Sequence, residues 1–268
     1  MGWPVAHSRS PAIHGHWIAQ YGLNGAYVQL PVQPAQLASA LRALPVLGFA
    51  GCNLTIPHKV AALSVLDEVD PLAQRIGAVN TVVVMPDGRL RGTNTDAFGY
   101  IESLREAQPA WQAGAGPAVV LGAGGAARAV VCALLDAGSP LVRLCNRSLA
   151  NAQALAQELG PQVQACEWKT RSAILAEANL LVNTTNLGMH GQDALDIDLR
   201  ALPVQALVSD IVYVPRITPL LAAAAARGNP CAEGLGMLLH QARAGFAAWF
   251  GRMPDISAGL RQAVEATL

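Results

Sequence analysis

The stretch from Pro117 to Arg128, Pro-Ala-Val-Val-Leu-Gly-Ala-Gly-Gly-Ala-Ala-Arg, restricts the fold of this chain more than any other. A short continuous apolar run that meets glycines and continues as an alanine-rich stretch to Ala137 reads as a buried parallel strand turning into a helix. Glycines at such a turn let a pyrophosphate approach the backbone, while the helix N-terminus offers amide donors and the positive end of its dipole. A glycine triplet alone carries little information. Here it lies between strand and helix, with a second strand over 141–145 at βαβ distance, which is the dinucleotide-binding context. Where NAD sites place Asp or Glu after that second strand, this chain has Asn146-Arg147-Ser148. A cation with two hydrogen-bonding neighbours favours a 2′-phosphate, hence NADP. The pattern continues with helices over 149–159 and around 171–178, and a strand over 180–183. A loop over 184–189 then faces the cofactor, followed by a strand over 207–213, a helix over 220–227 and a long helix from Gly234 through Gln241 to Phe250.

The first hundred residues alternate differently. Strands over 25–32 and 48–56 and helices over 34–44 and 59–69 predict a mostly parallel sheet covered on both faces. A strand over 76–84 then turns at Asp87-Gly88 into 89–92 as a hairpin. A helix over 97–106 and a Pro-, Ala- and Gly-containing connector over 108–116 lead into the dinucleotide pattern.

Within this half, Gly51-Cys-Asn-Leu-Thr-Ile-Pro-His-Lys59 stands out. Lys59 is one of only two lysines, the other being Lys169, in a chain whose other sixteen basic residues are all arginine. Arg serves where a charge only has to face water; Lys, unlike Arg, can give up a proton. The bland alternative is a surface lysine. Asn53 and Thr55, alternating with Leu54 and Ile56, would share one face of a strand ending at Pro57, and so bring an amide, a hydroxyl and an amine to one place. Asp96 reads either as the N-cap of the helix that follows or as a carboxylate that holds the Lys59 ammonium and shares its proton. Ser8 and Ser10, just before Pro11, are helix caps or ligand hydroxyls. His7, His14 and His16 match no metal-ligand spacing, and no metal is expected. Core packing explains the apolar residues of the last long helix but not Gln241, which reaches a site only if that helix packs back on the first domain.

With 52% hydrophobic and 13% charged residues and a net charge of zero, the chain has neither a basic stripe for nucleic acid nor a polybasic segment for membranes. The expected partner is small. Five scattered cysteines form no Cys-x-x-Cys pair, which points to reduced thiols in a cytosol. No apolar run reaches membrane-spanning length and no signal segment is evident, so a soluble cytoplasmic protein, monomer or homodimer, is expected.

Together these segments resemble the shikimate dehydrogenase family over nearly the whole chain. The resemblance rests on His-Ser-x-Ser-Pro at 7–11, Asn-x-Thr-x-Pro-x-Lys at 53–59, Gly-Ala-Val-Asn-Thr at 77–81 and Asn-Thr-Asp at 94–96. It extends through Gly-Ala-Gly-Gly-Ala at 122–126, Asn-Arg at 146–147 and Gly-x-x-Met-Leu-x-x-Gln at 234–241. It implies a two-domain α/β fold: a substrate domain over 1–98, joined by the C-terminal helices over 236–268, and a Rossmann NADP domain over 99–235, closing over a cleft. It also implies NADPH-dependent, reversible reduction of 3-dehydroshikimate in aromatic amino-acid biosynthesis, with Lys59 and Asp96 as the catalytic pair. Ser8, Ser10, Thr55, Asn80, Tyr213 and Gln241, with Asp96, would hold shikimate. Gly122, Ala123, Gly124, Gly125, Ala126, Asn146, Arg147, Ser148, Thr184, Ile211 and Gly234 would hold NADP.

Three departures from the family pattern bear on this reading. Asn186 stands where Ser is usual, and Asn151 stands where a second basic residue often supports the cofactor phosphate. The apolar strand that normally precedes Gly2 is missing. Since Pro4 cannot donate to a ladder, residues 1–5 are not expected to rebuild that strand; its neighbours would keep unpaired groups, and a shortened natural chain is the expectation. A quinate or quinate/shikimate dehydrogenase with NAD use remains open, because one substrate hydroxyl separates the two. A non-catalytic NADP-binding sensor would be expected to lack Lys59 or Asp96, and both are present.

Overall fold

The computed structural model describes residues 1–268. Its helices are α1 (Ser10–Gln20), α2 (Leu37–Ala43), α3 (His58–Ala61), α4 (Pro71–Ile76), α5 (Asp96–Ala107), α6 (Gly125–Asp136), α7 (Leu149–Leu159), α8 (Pro219–Ala226), α9 (Gly234–Phe250) and α10 (Ala258–Glu265). The strands are β1 (Gly51–Asn53), β2 (Glu68–Val69), β3 (Thr81–Val84), β4 (Leu90–Thr93), β5 (Ala118–Leu121), β6 (Val142–Asn146), β7 (Val163–Glu167), β8 (Leu180–Asn183), β9 (Leu207–Asp210) and β10 (Cys231–Ala232). The chain forms two compact units, Met1–Asp96 with Leu239–Thr267, and Ala97–Leu238. No helix is long and apolar enough to cross a membrane.

The first unit carries a four-stranded sheet in the order β1-β3-β4-β2. Its pairing is mixed. β1–β3 and β3–β4 run antiparallel and only β2–β4 runs parallel, because the hairpin at Asp87-Gly88, with Gly88 at φ +83°, returns the chain beside itself. The mostly parallel pairing expected from the β-α-β-α reading therefore does not hold for these strands. The strand expected over 25–32 is reduced to one parallel bridge, Gly2 with Pro31. The helix expected over 59–69 stops early, since Asp67 is drawn onto β4: its amide donates to Leu90 O at 3.0 Å and its carboxylate accepts the Leu90 amide at 2.8 Å. The strand expected over 76–84 is confined to 81–84, and Ile76, its expected first residue, is the last of helix α4. Asp70 caps it by accepting the Ala73 amide at 2.7 Å, Pro71 opens it, and Gly77 ends it at φ +70°.

The missing first strand is also resolved. Gly2 donates to Leu30 O at 3.3 Å and accepts from the Val32 amide at 3.1 Å; on the other side, the Thr55 amide reaches Met1 O at 3.0 Å and the Trp3 amide reaches Ile56 O at 3.1 Å. Residues 1–3 thus pair to both sides. Pro4 comes after these contacts, so its missing donor leaves the two neighbours paired, contrary to expectation. Behind the sheet, α2 and β1 bury Leu37, Leu41, Leu44, Leu54, Val79, Val82 and Leu90 in one core. Trp249 of α9 donates from Nε1 to Val82 O at 2.9 Å across Gly51, where a Cβ would lie 2.0 Å from that carbonyl. Only glycine leaves room for the indole there.

The second unit is a parallel six-stranded sheet in the order β10-β9-β8-β5-β6-β7. Read from β7 this is the doubly wound Rossmann order, with the reversal between β5 and β8. The central strands β5, β8 and β9 are buried at all four positions because both faces are covered, whereas β7 at the edge carries Gln164 and Glu167. β7 and β10 were not read from sequence, and the helix expected around 171–178 is only short 3₁₀ turns over Trp168–Thr170 and Ala173–Leu175.

Candidate active site

In the first unit, Lys59 on α3 and Asp96 at the start of α5 meet: Nζ lies 2.6 Å from Oδ2. Pro57 and the short α3 place Lys59 six residues after the end of β1, whereas Asp96 follows β4 by three. The capping role weighed for Asp96 is not the one its side chain plays. Both carboxylate oxygens are engaged elsewhere, with Asn80 Nδ2 donating to Oδ1 at 2.8 Å, and the Asp96 amide is itself held by Asn94 Oδ1 at 3.0 Å. Side-chain exposure is 19% for Lys59 and 7% for Asp96, so the pair is screened from water but reachable from one side. An ion pair in such a setting is a strong charge-assisted hydrogen bond whose members cannot wander.

Asn80 is the hub. Its Oδ1 accepts the Thr95 amide at 2.8 Å and the Thr81 hydroxyl at 3.0 Å. Since a backbone amide only donates, the side-chain oxygen must face Thr95 and the NH₂ must face Asp96.

The other residues singled out in this unit lie nearby in sequence or on its helices. Ser8 Oγ accepts the Ser10 amide at 3.3 Å, and neither serine caps α1. Thr55 lies half-buried four residues before Lys59, and Gln241 is nearly buried on α9. His14 is buried against Trp17, Tyr27, Phe246 and Trp249 as part of an aromatic cluster. Sequence reasoning missed Tyr27, did not connect Thr81 and Thr95 to the pair, and grouped Asn53 with Thr55 and Lys59, whereas its amide donates to Asn80 O and Thr81. Their signal was faint: polar residues flanking Asn80 and Asp96 in otherwise apolar strands.

In the second unit, the loops after β5 and β8 flank the reversal of strand order. Gly122 has φ +109°, and a Cβ there would lie 2.6 Å from Thr184 Oγ1, which donates to Leu121 O at 2.7 Å. Gly122 is thus required for the turn. At Gly124 a Cβ would meet nothing within 4 Å, and no side chain caps α6, so the amides of Gly125 and Ala126, after Ala123, open onto free space. Free amides at a helix N-terminus have the geometry that suits a phosphate. Asn146 donates to Ser148 O at 3.0 Å and Ser148 caps α7 through the Asn151 amide, while Arg147 between them is exposed and makes no ion pair. The residues present fit a phosphorylated dinucleotide. At Gly234 a Cβ would lie 2.5 Å from Val212 O and 2.6 Å from Ile211 O, so this glycine lets α9 begin against the segment carrying Ile211 and Tyr213. Asn186 donates to Gln192 at 3.3 Å.

Comparisons with known proteins decide the family. The model of the shikimate dehydrogenase substrate binding domain matches residues 1–82, that of shikimate/quinate 5-dehydrogenase matches 107–190, and that of the shikimate 5′-dehydrogenase C-terminal domain matches 234–265. A shikimate dehydrogenase (NADP(+)) of Paramagnetospirillum magneticum is 58% identical over 261 residues, 97% of this chain and 95% of that protein. This chain belongs to the shikimate dehydrogenase family. Among solved structures, shikimate 5-dehydrogenase from Thermus thermophilus in complex with NADP(H) and shikimate is 40% identical, with a TM-score of 0.89 over 100% of this chain and 97% of that one. Quinate dehydrogenase from Corynebacterium glutamicum in complex with NAD is 32% identical, with a TM-score of 0.90 over 98% and 95%.

Proposed function

We infer that this chain catalyses the NADPH-dependent, reversible reduction of 3-dehydroshikimate to shikimate, a step of aromatic amino-acid biosynthesis, with Lys59 and Asp96 as its catalytic pair. One observation carries the assignment of the pair: the chain's single partly buried lysine is bound at 2.6 Å to a carboxylate whose other oxygen is fixed by Asn80. The dinucleotide, when bound, supplies a hydride to the ketone carbon. The residues handle the proton. The carbonyl oxygen gains negative charge as its carbon gains the hydride, and the Lys59 ammonium donates one proton to it, leaving a neutral amine and a secondary alcohol. In the oxidation direction the amine takes the proton back. Of the three ammonium hydrogens one is committed to Asp96, which aims the others. Arginine could not do this, because it keeps its proton.

Ser8, Ser10, Thr55, Asn80, Tyr213 and Gln241 are proposed to hold the substrate's carboxylate and hydroxyls. The open amides after Gly124, with Thr184, Ile211 and Gly234, are proposed to take the pyrophosphate and nicotinamide, and Asn146, Arg147 and Ser148 the adenosine 2′-phosphate. The substrate domain is accordingly 1–98 with the C-terminal helices, and the NADP domain 99–235. All five cysteines are free thiols, in keeping with a cytoplasmic enzyme, monomer or homodimer. Steady-state rates on shikimate and quinate with NADP and NAD test the reading. The highest kcat/KM is expected for shikimate with NADP; a higher value for quinate with NAD would move the chain to the quinate branch.

A further inference from the structure

The hydrogen bonds that orient the catalytic pair do not stop at Asn80. Asn53 Nδ2 donates to the Asn80 main-chain carbonyl at 3.1 Å and to Thr81 Oγ1 at 3.0 Å, and Asn53 Oδ1 accepts the Tyr27 hydroxyl at 2.7 Å. The directions of the links at Asn53 are forced. A carbonyl can only accept, so the Asn53 NH₂ must face Asn80 O, and its oxygen must face Tyr27. Thr81, receiving a hydrogen from Asn53, has Asn80 Oδ1 at 3.0 Å as its nearer acceptor, with the Thr95 hydroxyl beside it at 3.3 Å. Asn80 then presents only its NH₂ to Asp96, and Asp96 is left as a pure acceptor for Lys59. Tyr27, Asn53, Thr81 and Asn80 thus form one run of donors that ends on Asp96, which Lys59 meets from the other side as a second donor.

Its far end is rigid. The Tyr27 ring stacks on His14 at 4.3 Å between centroids and 5° between planes, and lies 6.0 Å from Trp249. Burial pushes His14 down to about 3, so the stacking ring is neutral, and burial pushes the Tyr27 phenol upward, so it stays a donor. Neither His14 nitrogen has a hydrogen-bond partner. Its face, packed on the phenol, is the part in use.

We propose that Tyr27, Asn53 and Thr81 are positioning residues for proton transfer, setting the orientation of Asp96, and through it of Lys59, without touching substrate. This rests on the reading of Lys59 and Asp96 as the catalytic pair. Thr81→Val keeps the shape of the side chain but removes the hydroxyl, which leaves Asn53 Nδ2 and Asn80 Oδ1 each short of one partner. A neutral hydrogen bond of about 0.5–1.5 kcal/mol lost from the transition state corresponds to a kcat about two- to tenfold lower. KM for shikimate and for NADP should stay within about twofold, and Thr81→Ser should restore turnover. Tyr27→Phe, which removes one hydroxyl at the far end, should lower kcat about twofold with the same unchanged KM values; it decides the matter by itself if Thr81→Val does not fold.

Unchanged kcat in the folded variants, kcat and KM changing together, or Thr81→Ser as slow as Thr81→Val would each overturn the proposal. Lys59→Met, measured alongside, separates the two levels. If it loses its turnover while the positioning variants keep theirs, only this inference falls; if it keeps turnover, the pair is misassigned and both fall.

Discussion

Each unit buries one aspartate close to the end of a strand, and the two are built to opposite purposes. Asp96, in the first unit, faces a cation at 2.6 Å and one amide donor. Asp210, at the end of β9 in the second unit, is 1% exposed and faces neutral donors: Asn183 Nδ2 at 3.0 Å, the Val212 amide at 3.0 Å and the Thr218 hydroxyl at 2.7 Å. Burial pushes the Tyr100 phenol upward, and the Asp210 charge in turn helps. Without a cation, burial outweighs those donors and pushes Asp210 up to about 6. Asn183 also accepts from Thr185 and donates to Leu187 O at 3.0 Å, so Asp210 and Asn183 tie down the loops after β8 and β9. A carboxylate with a proton-bearing partner is suited to chemistry; one held by neutral donors is suited to fixing backbone.

The comparison breaks most visibly at Lys59. Lys59→Met should lose about 10² to 10⁴ in kcat, with a much smaller change in KM. Survival of turnover within about threefold would mean that the first unit's ion pair is structural as well.

Asp210→Asn sharpens the other side. Because the folded-state value is raised from 3.8 to about 6, the folded protein binds the extra proton between those values. The contribution of Asp210 to stability is therefore fully present below pH 3.8 and is lost as pH rises through about 6, leaving a cost of roughly 3 kcal/mol at neutral pH. The neutral amide escapes that cost. Relative to the parent, the variant should gain stability from pH 4 to pH 7, read as a rising difference in thermal midpoint. A difference that stays flat with pH would place the titration elsewhere.

The smallest effect concerns a charge placed for binding rather than chemistry. Arg147 should give NADP one or two charge-assisted hydrogen bonds of roughly 1.5–3 kcal/mol each, hence at least about a tenfold preference over NAD. With Asn151 in place of a second cation, the preference should fall below that of relatives carrying both. Arg147→Ala should weaken NADP binding in a fluorescence titration and leave NAD and kcat nearly unchanged. Equal losses for both cofactors would indicate a damaged loop.

The two units were unequally legible in sequence. The Rossmann unit announced itself because its central strands, β5 above all, are buried on both faces and read as apolar runs, and because glycine at Gly122 answers a local backbone demand, φ +109°. The first unit was harder. Its strands are two to four residues long, too short for a period to appear, and Asp67 gives up helix for a pairing with Leu90 that lies 23 residues away. α4 was readable in hindsight, with Asp70, Pro71 and Gly77 at its ends, yet the apolar run beyond it read as one long strand.

Residue chemistry by itself determined the candidates at the site: a rare lysine, an acidic residue after Asn-Thr, an arginine where NAD sites have a carboxylate. Whether Asp96 capped a helix or met Lys59 was decided only by the tertiary structure, since 37 residues separate the two and no local rule connects them. The same holds for Tyr27, ordinary in sequence and joined to Asn53 at 2.7 Å in the fold. Local propensity acts over a few neighbours, whereas a hydrogen bond between distant segments exists only once packing has fixed both of them.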